Sequence, residues 1–552
     1  MDSKKLKIGF LVDNEQIAYH YHQVLCELNN SEKFCKPIII SDACHENLLA
    51  KLFNPLQSIT NLVIKLIVNL ERGKLKRESY FKNSFDIYKT STLDCKTLKL
   101  NSVKSKFNVR KYKNEDIAKI KEQSFDVLIR CGNGILKGEI LECSKLGILS
   151  FHHGDNREFR GMPSGFWEVY NNTPSTGFII QKLTENLDKG EVLARGNVMT
   201  SSYWQKNNAF VTLKSIACMS NLLNELAHGK KLSIEKNVSY SNLIYKNPNL
   251  IQLSFYVLKQ IFQFLIKSLK RILGFKIYWE VVVAKNNGFQ NLLDSNTLKI
   301  KNNGKNYFAD PFLINYQGRE ICFVEEYSHQ TKKGIISAVE IHPDSTKYLG
   351  KVIEEDFHLS FPYIFKFKEN LFMLPETAQK KEIRLYKCID FPLKWSFEKT
   401  LITNIDAADS MIIRLENEWV LFTNVCGSNI GDHCSELHVY FSSDKDPTSS
   451  KWVKHNNNPV VFDSLRSRNA GLVLDKGKIL RVSQIHGKST YGKGVNINII
   501  KNITSEKFEE EIILTYTGKN FKNSKGIHHI SASNDYIAFD ICNEKLSWFR
   551  SM

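Results

Sequence analysis

Helical periodicity runs out at Trp279 and does not return over the rest of the 552-residue chain. Beyond that point short β-rich runs alternate with turn clusters. Gly318-Arg319 precedes Ile321–Val324, Glu416-Asn417-Glu418 precedes Trp419–Phe422, and Asp475–Lys478 precedes Ile479-Leu480. Many short strands with recurrent turns imply a sandwich, barrel or propeller. The runs repeat loosely with a unit of about 50 residues, each reading strand, turn, strand, so residues 280–552 fit a β-propeller of about five blades best.

Upstream, strands alternate with helices. Lys7–Val12 reads as a buried strand, Gln16 to Asn29 as a helix and Lys36–Ile40 as a second strand, a βαβ opening that implies a parallel sheet. Residues 51–82 interrupt it with a basic helical insertion, apolar from Ile59 to Leu70 and ending in Arg72–Arg77. The α/β pattern resumes with a buried strand at 125–130, another at 147–152 and a helix at 207–227, so residues 1–235 form an α/β, Rossmann-like domain. Residues 236–279 link the halves. From Pro248 to Trp279 this linker carries five cations and no acidic residue, and its polar positions recur along one stripe at helical spacing. A basic amphipathic helix over 249–277 suits either burial against a neighbouring domain or an anionic membrane surface.

Lys plus Arg exceed Asp plus Glu by 76 − 58 = 18, which favours an anionic partner without naming one. No nucleic-acid-binding motif accompanies the charge, so nucleic acid is not favoured. The 12 cysteines include no CxxC pair, so neither a disulfide scaffold nor a zinc knuckle is expected. Met1–Lys7 leads straight into a strand-length apolar run instead of a signal-peptide core. The expected setting is cytoplasmic, with peripheral attachment to the inner face of the cytoplasmic membrane if the basic helix meets lipid.

The densest polar cluster runs Gly147-Ile-Leu-Ser150-Phe-His152-His153-Gly154-Asp155, followed by Arg160-Gly161, Thr176-Gly177 and Leu187-Asp188-Lys-Gly190. Strand alternation puts Ser150 and His152 on one face. In this order and spacing the motifs resemble the catalytic domain shared by methionyl-tRNA, glycinamide-ribonucleotide and sugar N-formyltransferases, over about residues 5–230. The resemblance implies His152 and Asp188 as catalytic residues, with Ser150 standing where that family has Asn and His153 as a further catalytic candidate. It implies 10-formyltetrahydrofolate as donor, lined by Arg130, Cys131, Gly132, Ile135, Leu136, Asp155 and Gly190, and an acceptor held by Arg160, Gly161 and Thr176, with no metal. In that chemistry an amine attacks a formyl carbon while His and Asn stabilise the oxyanion.

A second ordered set comprises 307–312 (YFADPF), 323–327 (FVEEY), 358–362 (HLSFP), 374–377 (LPET), Asp409-Ser410, 468–471 (RNAG) and 491–492 (YG). It resembles the propeller-like N-terminal domain of plant glucosamine inositolphosphorylceramide transferases and, more distantly, five-bladed glycosidases. Candidate glycan-binding residues are Asp310, Glu325, Glu326, His358, Glu376, Asp409, Arg468, Gln484 and His486. Together the halves imply formyl or related acyl transfer to an amino sugar, nucleotide-linked or within a surface polysaccharide. Two alternatives stay open: a non-catalytic glycan-binding assembly protein with a vestigial transferase fold, and a glycosidase-like enzyme working from the propeller, where an acid and a base carboxyl would be needed.

Overall fold

The structure, a computed structural model, describes residues 5–43, 55–104, 109–132, 134–185, 190–236, 239–241, 243–294, 296–301, 306–415, 418–427, 430–448, 451–475 and 477–546. It divides into two compact units, Met1–Gln260 and Ile261–Met552.

The first unit is built on a largely parallel sheet. Its main strands are β1 (Ile8–Asp13), β2 (Ile38–Asp42), β3 (Lys96–Leu100), β4 (Val127–Arg130), β5 (Ile148–His152), β6 (Ser175–Lys182) and β7 (Glu191–Met199). They pair in the order β3-β2-β1-β4-β5-β6-β7, parallel as far as β5 and antiparallel from there. Strands β1 and β4 are buried almost end to end, without alternation, because a parallel strand is covered on both faces. The helices are α1 (Tyr19–Asn29), α2 (Pro55–Leu75), α3 (Asn114–Glu122), α4 (Phe166–Asn171), α5 (Trp204–Ala227) and α6 (Leu250–Ile272), the last running across the division between the units.

Two expectations shift. The first helix begins at Tyr19, not at Gln16. Asn14 and Glu15 turn the chain at φ 50° and 56°, so Gln16–Ala18 folds back antiparallel on the end of β1. Helix α6 stops at Ile272, and Gly274, at φ 77°, leads into an extended strand, Phe275–Lys285, so the β region opens before Trp279. Only Leu253 and Tyr256 of α6 are fully buried; the rest of its apolar face is open.

The second unit is a five-bladed β-propeller of antiparallel, mainly four-stranded sheets. The innermost strands are Asn306–Tyr316, Ser360–Phe367, Ala407–Leu415, Asn469–Asp475 and Gly526–Ala532, each touching the next around a closed ring. The last blade joins the two ends of the unit: Phe275–Lys285 pairs in unbroken register with Tyr536–Leu546. Ring closure of this kind ties the two ends of the unit together, while the innermost strand of each blade keeps one short edge toward the axis.

All five innermost strands carry the same irregularity. Two residues bulge out opposite one on the neighbouring strand: Asp310-Pro311, Phe361-Pro362, Asp409-Ser410, Ala470-Gly471 and His528-His529. Asp310, Phe361 and Asp409 adopt φ of 48°, 48° and 49°, a region that non-glycine residues occupy only under local constraint. A bulge re-aims side chains, and here it does so at one level of the ring in every blade.

Candidate functional site

Two places assemble the predicted residues. In the first unit, Asp13, Asp42, Arg130 and His152 end four adjacent parallel strands at the same edge. Ligands of open α/β sheets settle outside such carboxyl ends. Ser150 and His152 share a face and are half-exposed, while Leu149 and Phe151 between and beside them are buried. The Ser150 hydroxyl donates to the Phe151 carbonyl at 3.1 Å.

The neighbours of this pair are tied to structure. His153 is held 3.0 Å from the Ser215 hydroxyl and stacks on Phe151, with His20 edge-on. Burial, with His20 and His152 nearby, pushes its pKa well below the usual range, so the ring is neutral. The sequence placed His153 among the catalytic groups; the structure turns it inward. Asp155 is clasped by Arg157 at 2.6 Å and Arg195 at 2.6 Å, and these partners hold its carboxyl below the usual range against the opposing effect of burial. Gly177 is required by that clasp, since a Cβ there would lie 2.7 Å from Asp155 Cβ. Arg130 forms a buried ion pair with Asp13 at 2.9 Å, and Arg110 bridges Asp13 and Asp42 at 2.7 and 2.9 Å. Cys131 is buried, Gly132 abuts the Asp13 carboxylate, Ile135 is half-buried and Leu136 buried.

The residues expected on the acceptor side are packing elements. Thr176 accepts from Asn207 at 2.8 Å and contacts Thr200 at 2.9 Å; Arg160 donates to the Ser241 carbonyl at 2.8 Å. Gly161, at φ 103°, lies where a Cβ would meet the Tyr245 carbonyl at 2.1 Å. The Gly190 carbonyl accepts from the Tyr240 hydroxyl at 3.1 Å. Asp188, expected to orient His152, lies outside the described residues. A folate donor therefore finds no uncommitted charge among the residues predicted to line it, because Arg130 and Asp155 both serve internal pairs.

The second place is one end of the propeller axis, where the bulges deliver their side chains. Asp310 accepts from the Phe361 amide at 3.2 Å, and its own amide donates to Asp540 at 3.0 Å. His528 lies between two carboxylates, 3.2 Å from Asp310 and 2.8 Å from Asp540. Burial alone would lower the His528 pKa, but Asp540 and Asp310 overcome it and lift the ring to about 10. Asp310 is correspondingly held at about 2: burial works against ionisation, while His528, His529 and Arg468 favour it. Asp310, His528 and Asp540 offer ligand atoms within 4.8 Å of one another, a set able to hold a metal ion. An imidazolium between the two carboxylates offsets one of their two charges without an ion.

Around this core, Arg468 donates to Asp409 at 2.6 Å and reaches Glu376 at 3.5 Å, with its guanidinium 5.0 Å from the Tyr491 ring centroid. Glu376 is raised to about 8 by burial and by Asp409, against the pull of Arg468. Glu325 is raised further, by burial and by Asp310; it lies 3.7 Å from His358, whose Nδ1 accepts from the Gly334 amide at 2.9 Å. His486, lowered to about 3 by burial and Arg468, packs on Tyr491. His486 Nε2 and Gln484 Oε1 are buried without a hydrogen-bond partner, an arrangement that marks a position for a polar ligand or water. Glu376, Arg468, His358 and Tyr491 form the half-open rim over a buried layer of Asp310, Glu325, Asp409 and His528.

One predicted member is elsewhere. Glu326 turns into its blade, accepting from Asn306, Ser337 and Tyr348 at 2.7, 2.6 and 2.8 Å, because adjacent strand residues point to opposite faces and Glu325 has the axial one. His528 and Asp540 were missed. Their signal was the Ile-His-His-Ile run, which occupies in the last blade the place of Ala-Asp-Pro-Phe and Ala-Asp-Ser-Met in two others.

The arrangement provides one carboxylate held ionised, two carboxyls held protonated near neutrality, and two cations. Together they supply hydrogen-bond donors and acceptors in alternation, as a polyhydroxylated ligand requires. Paired acid and base carboxyls whose pKa values are pushed apart are also the layout of acid–base catalysis.

A profile of the family described as "Glucosamine inositolphosphorylceramide transferase 1, N-terminal" matches residues 290–538. The glucosamine inositolphosphorylceramide transferase 1 of Oryza sativa subsp. japonica is 32% identical over 237 residues, 41% of this chain and 31% of the relative. Its Arabidopsis thaliana counterpart is 29% identical over 235 residues, 41% of this chain and 30% of the relative. The chain thus spans about a third of the length of these curated relatives. Among solved structures, an α-L-arabinofuranosidase from Podospora anserina is similar at 13% identity and a TM-score of 0.33, over 45% of this chain and 94% of that one. A phosphoribosylglycinamide formyltransferase from Anaplasma phagocytophilum is similar at 15% identity and a TM-score of 0.28, over 44% of this chain and all of that one, 100%.

Proposed function

We propose that this protein is a transferase acting on a glycan that carries an amino sugar, with the axial end of the propeller holding the sugar and the α/β unit carrying out the transfer. The observation that carries the reading is the convergence of Asp310, Glu325, Glu376, Asp409, Arg468 and His528 at one level of the ring. The printed names of the propeller's relatives support it, since they are transferases named for a glucosamine-bearing lipid. In the α/β unit the transferred group is proposed to be formyl or a related one-carbon acyl. That part rests on the motif order and on the Ser150–His152 edge.

The chain's own residues supply the following chemistry. An amine attacking an acyl carbon places negative charge on the acyl oxygen and frees a proton. His152, half-exposed at a strand end, is positioned to stabilise that oxygen or take up the proton, and Ser150 offers a hydroxyl on the same face. Ser reaches less far than the Asn of the resembled family. A misplaced donor of this kind costs about 3 to 4 kcal/mol of transition-state stabilisation, so a slow enzyme or an altered acyl donor is expected. Arg130 and Asp155, paired with Asp13 and Arg195, would present no free charge to a folate donor.

Incubating the full chain with 10-formyltetrahydrofolate and UDP- or dTDP-linked amino sugars, with mass-spectrometric detection of the amide, tests the transfer. Loss of product with His152→Ala, with folding intact, supports it; product unaffected by that substitution refutes it. Sugar binding weakened by Asp409→Asn but not by His152→Ala locates the glycan in the propeller. The split between Asp310, at about 2, and Glu376, at about 8, also favours a second reading, glycoside hydrolysis from the propeller. Release of reducing sugar, abolished by Asp310→Asn, is its test.

A further inference from the structure

Helices α2 and α6 lie against each other in the first unit. Ile67, Leu253 and Tyr256 form their shared buried cluster with Val63, Ile64, Val68 and Val257, and the Tyr256 hydroxyl donates to Glu71 at 2.6 Å. Each helix uses one apolar stripe for this contact and leaves another uncovered. On α2 the uncovered stripe is Ile59, Leu62, Leu66 and Leu70, with Leu62 68% exposed; on α6 it is Ile251, Phe255, Leu258, Phe262, Leu265, Leu269 and Ile272, the last 80% exposed. At 100° per residue the α6 stripe, with Ile261 and Ile266, spans an arc of roughly 140° that holds no charge.

Neither helix is apolar enough to cross a membrane, nor is any other helix among the described residues. Soluble monomers seldom leave so large a contiguous apolar face open. The charge around it is one-sided. Lys259 and Lys270 border the α6 stripe, Lys259 donating to the Tyr170 carbonyl at 2.7 Å and Lys270 pairing with Glu544 at 2.7 Å, while Lys267 and Arg271 make the opposite, polar side of the helix cationic. The sole acid on the two helices, Glu71, is turned inward to Tyr256 and the Gln205 amide.

We propose that α6 is a docking surface for an anionic lipid bilayer, lying in the headgroup plane with its apolar stripe inserted. A wide, phenylalanine-rich arc backed by a cationic polar face is the pattern of interfacial helices; a coiled-coil seam is narrower. A second copy of the same face would set cation against cation, whereas anionic headgroups neutralise them. The surface commits to neither chemical reading of the two sites. It would bring the protein to acceptors carried on lipid.

The test uses the full chain and sedimentation with vesicles of phosphatidylcholine alone or with roughly one-third phosphatidylglycerol, at low and high salt. At least tenfold stronger retention on the anionic vesicles is expected, weakening with salt. Phe262→Asp with Leu265→Asp should remove it, as should Leu258→Asp with Leu269→Asp on the same stripe, whereas Phe262→Leu should keep it. Lys267→Glu with Arg271→Glu should erase the preference for anionic lipid. Because these side chains are exposed, circular dichroism of every variant should match the parent. Equal retention on neutral vesicles, no retention, or retention that survives both aspartate pairs overturns the proposal. So does a dimer, seen by sedimentation velocity, that the aspartate pairs dissociate while vesicles are ignored.

Discussion

Replacing Arg468 by Met removes the only side chain that touches both Asp409 and Glu376 among the described residues, and it does so at nearly constant volume. Arg468 donates to Asp409 at 2.6 Å and reaches Glu376 at 3.5 Å; Asp409 is 2% exposed. Deleting one partner of a buried pair costs about 3 to 5 kcal/mol, because the survivor is left uncompensated. The guanidinium sits on the half-open rim, which places the expected loss at the lower end, about 3 kcal/mol. For a unit of this size that corresponds to a fall in Tm of roughly 6 to 12 °C. Calorimetry of Arg468→Met, Asp409→Asn and the double variant measures it as a cycle. The double variant should recover part of the loss, since no buried charge is then orphaned. A single variant less than about 1 kcal/mol below the parent, or a double variant no more stable than Arg468→Met, would show that the cluster is solvated and that the axial site is not a desolvated charge array.

Three further outcomes follow from the geometry. Propeller stability should decline as pH rises from about 4.5 toward 10: Glu376 takes up a proton on folding, at about 8 against an ordinary 4.5, so its contribution is lost over that range, and His528 does likewise from 6.5 to about 10. Asp310 acts at the other end, its contribution being lost as pH falls from 3.8 toward 2; melting curves from pH 3 to 10 check both signs, and a flat alkaline limb in the parent would contradict them. Gly161→Ala should destabilise the first unit by about 1 to 3 kcal/mol through its φ of 103° and the 2.1 Å approach to the Tyr245 carbonyl, measured by denaturant titration. Glu326→Gln should lower propeller stability by about 1 to 3 kcal/mol, since three donors lose a charged acceptor, while leaving sugar affinity in isothermal titration unchanged.

What could be read in the chain followed from local periodicity. Buried parallel strands announce themselves as unbroken apolar runs, and Lys7–Val12 and 125–130 did so; blades announce themselves as evenly spaced turns. Side-chain parity was harder. Strand alternation sends one of Glu325 and Glu326 to the axis and the other into the blade, and nothing in Phe-Val-Glu-Glu-Tyr tells the two apart. His528 left a local trace in its Ile-His-His-Ile run, but the site it joins did not: Asp310 comes from another blade, and the last blade is completed by Trp279 and its strand from the far end of the unit, so no local window contains the site. Asp155 looked like a ligand because its partner Arg195 lies on another strand. Amphipathicity of α6 was plain, but a stripe does not say whether it will be covered, and the structure leaves most of it bare.

The recurring bulge has a consequence for how such a ring can change. Each blade presents a pair of residues at the same height, held by the backbone pairing on either side of the bulge, and the pairs here are Asp-Pro, Phe-Pro, Asp-Ser, Ala-Gly and His-His, of which Gly471 alone is fixed by the Ile530 carbonyl, 2.1 Å from where a Cβ would stand. The five behave as sockets of one gauge. A new ligand preference can be written by exchanging a dipeptide in a single socket, with the hydrophobic layers between blades left as they are.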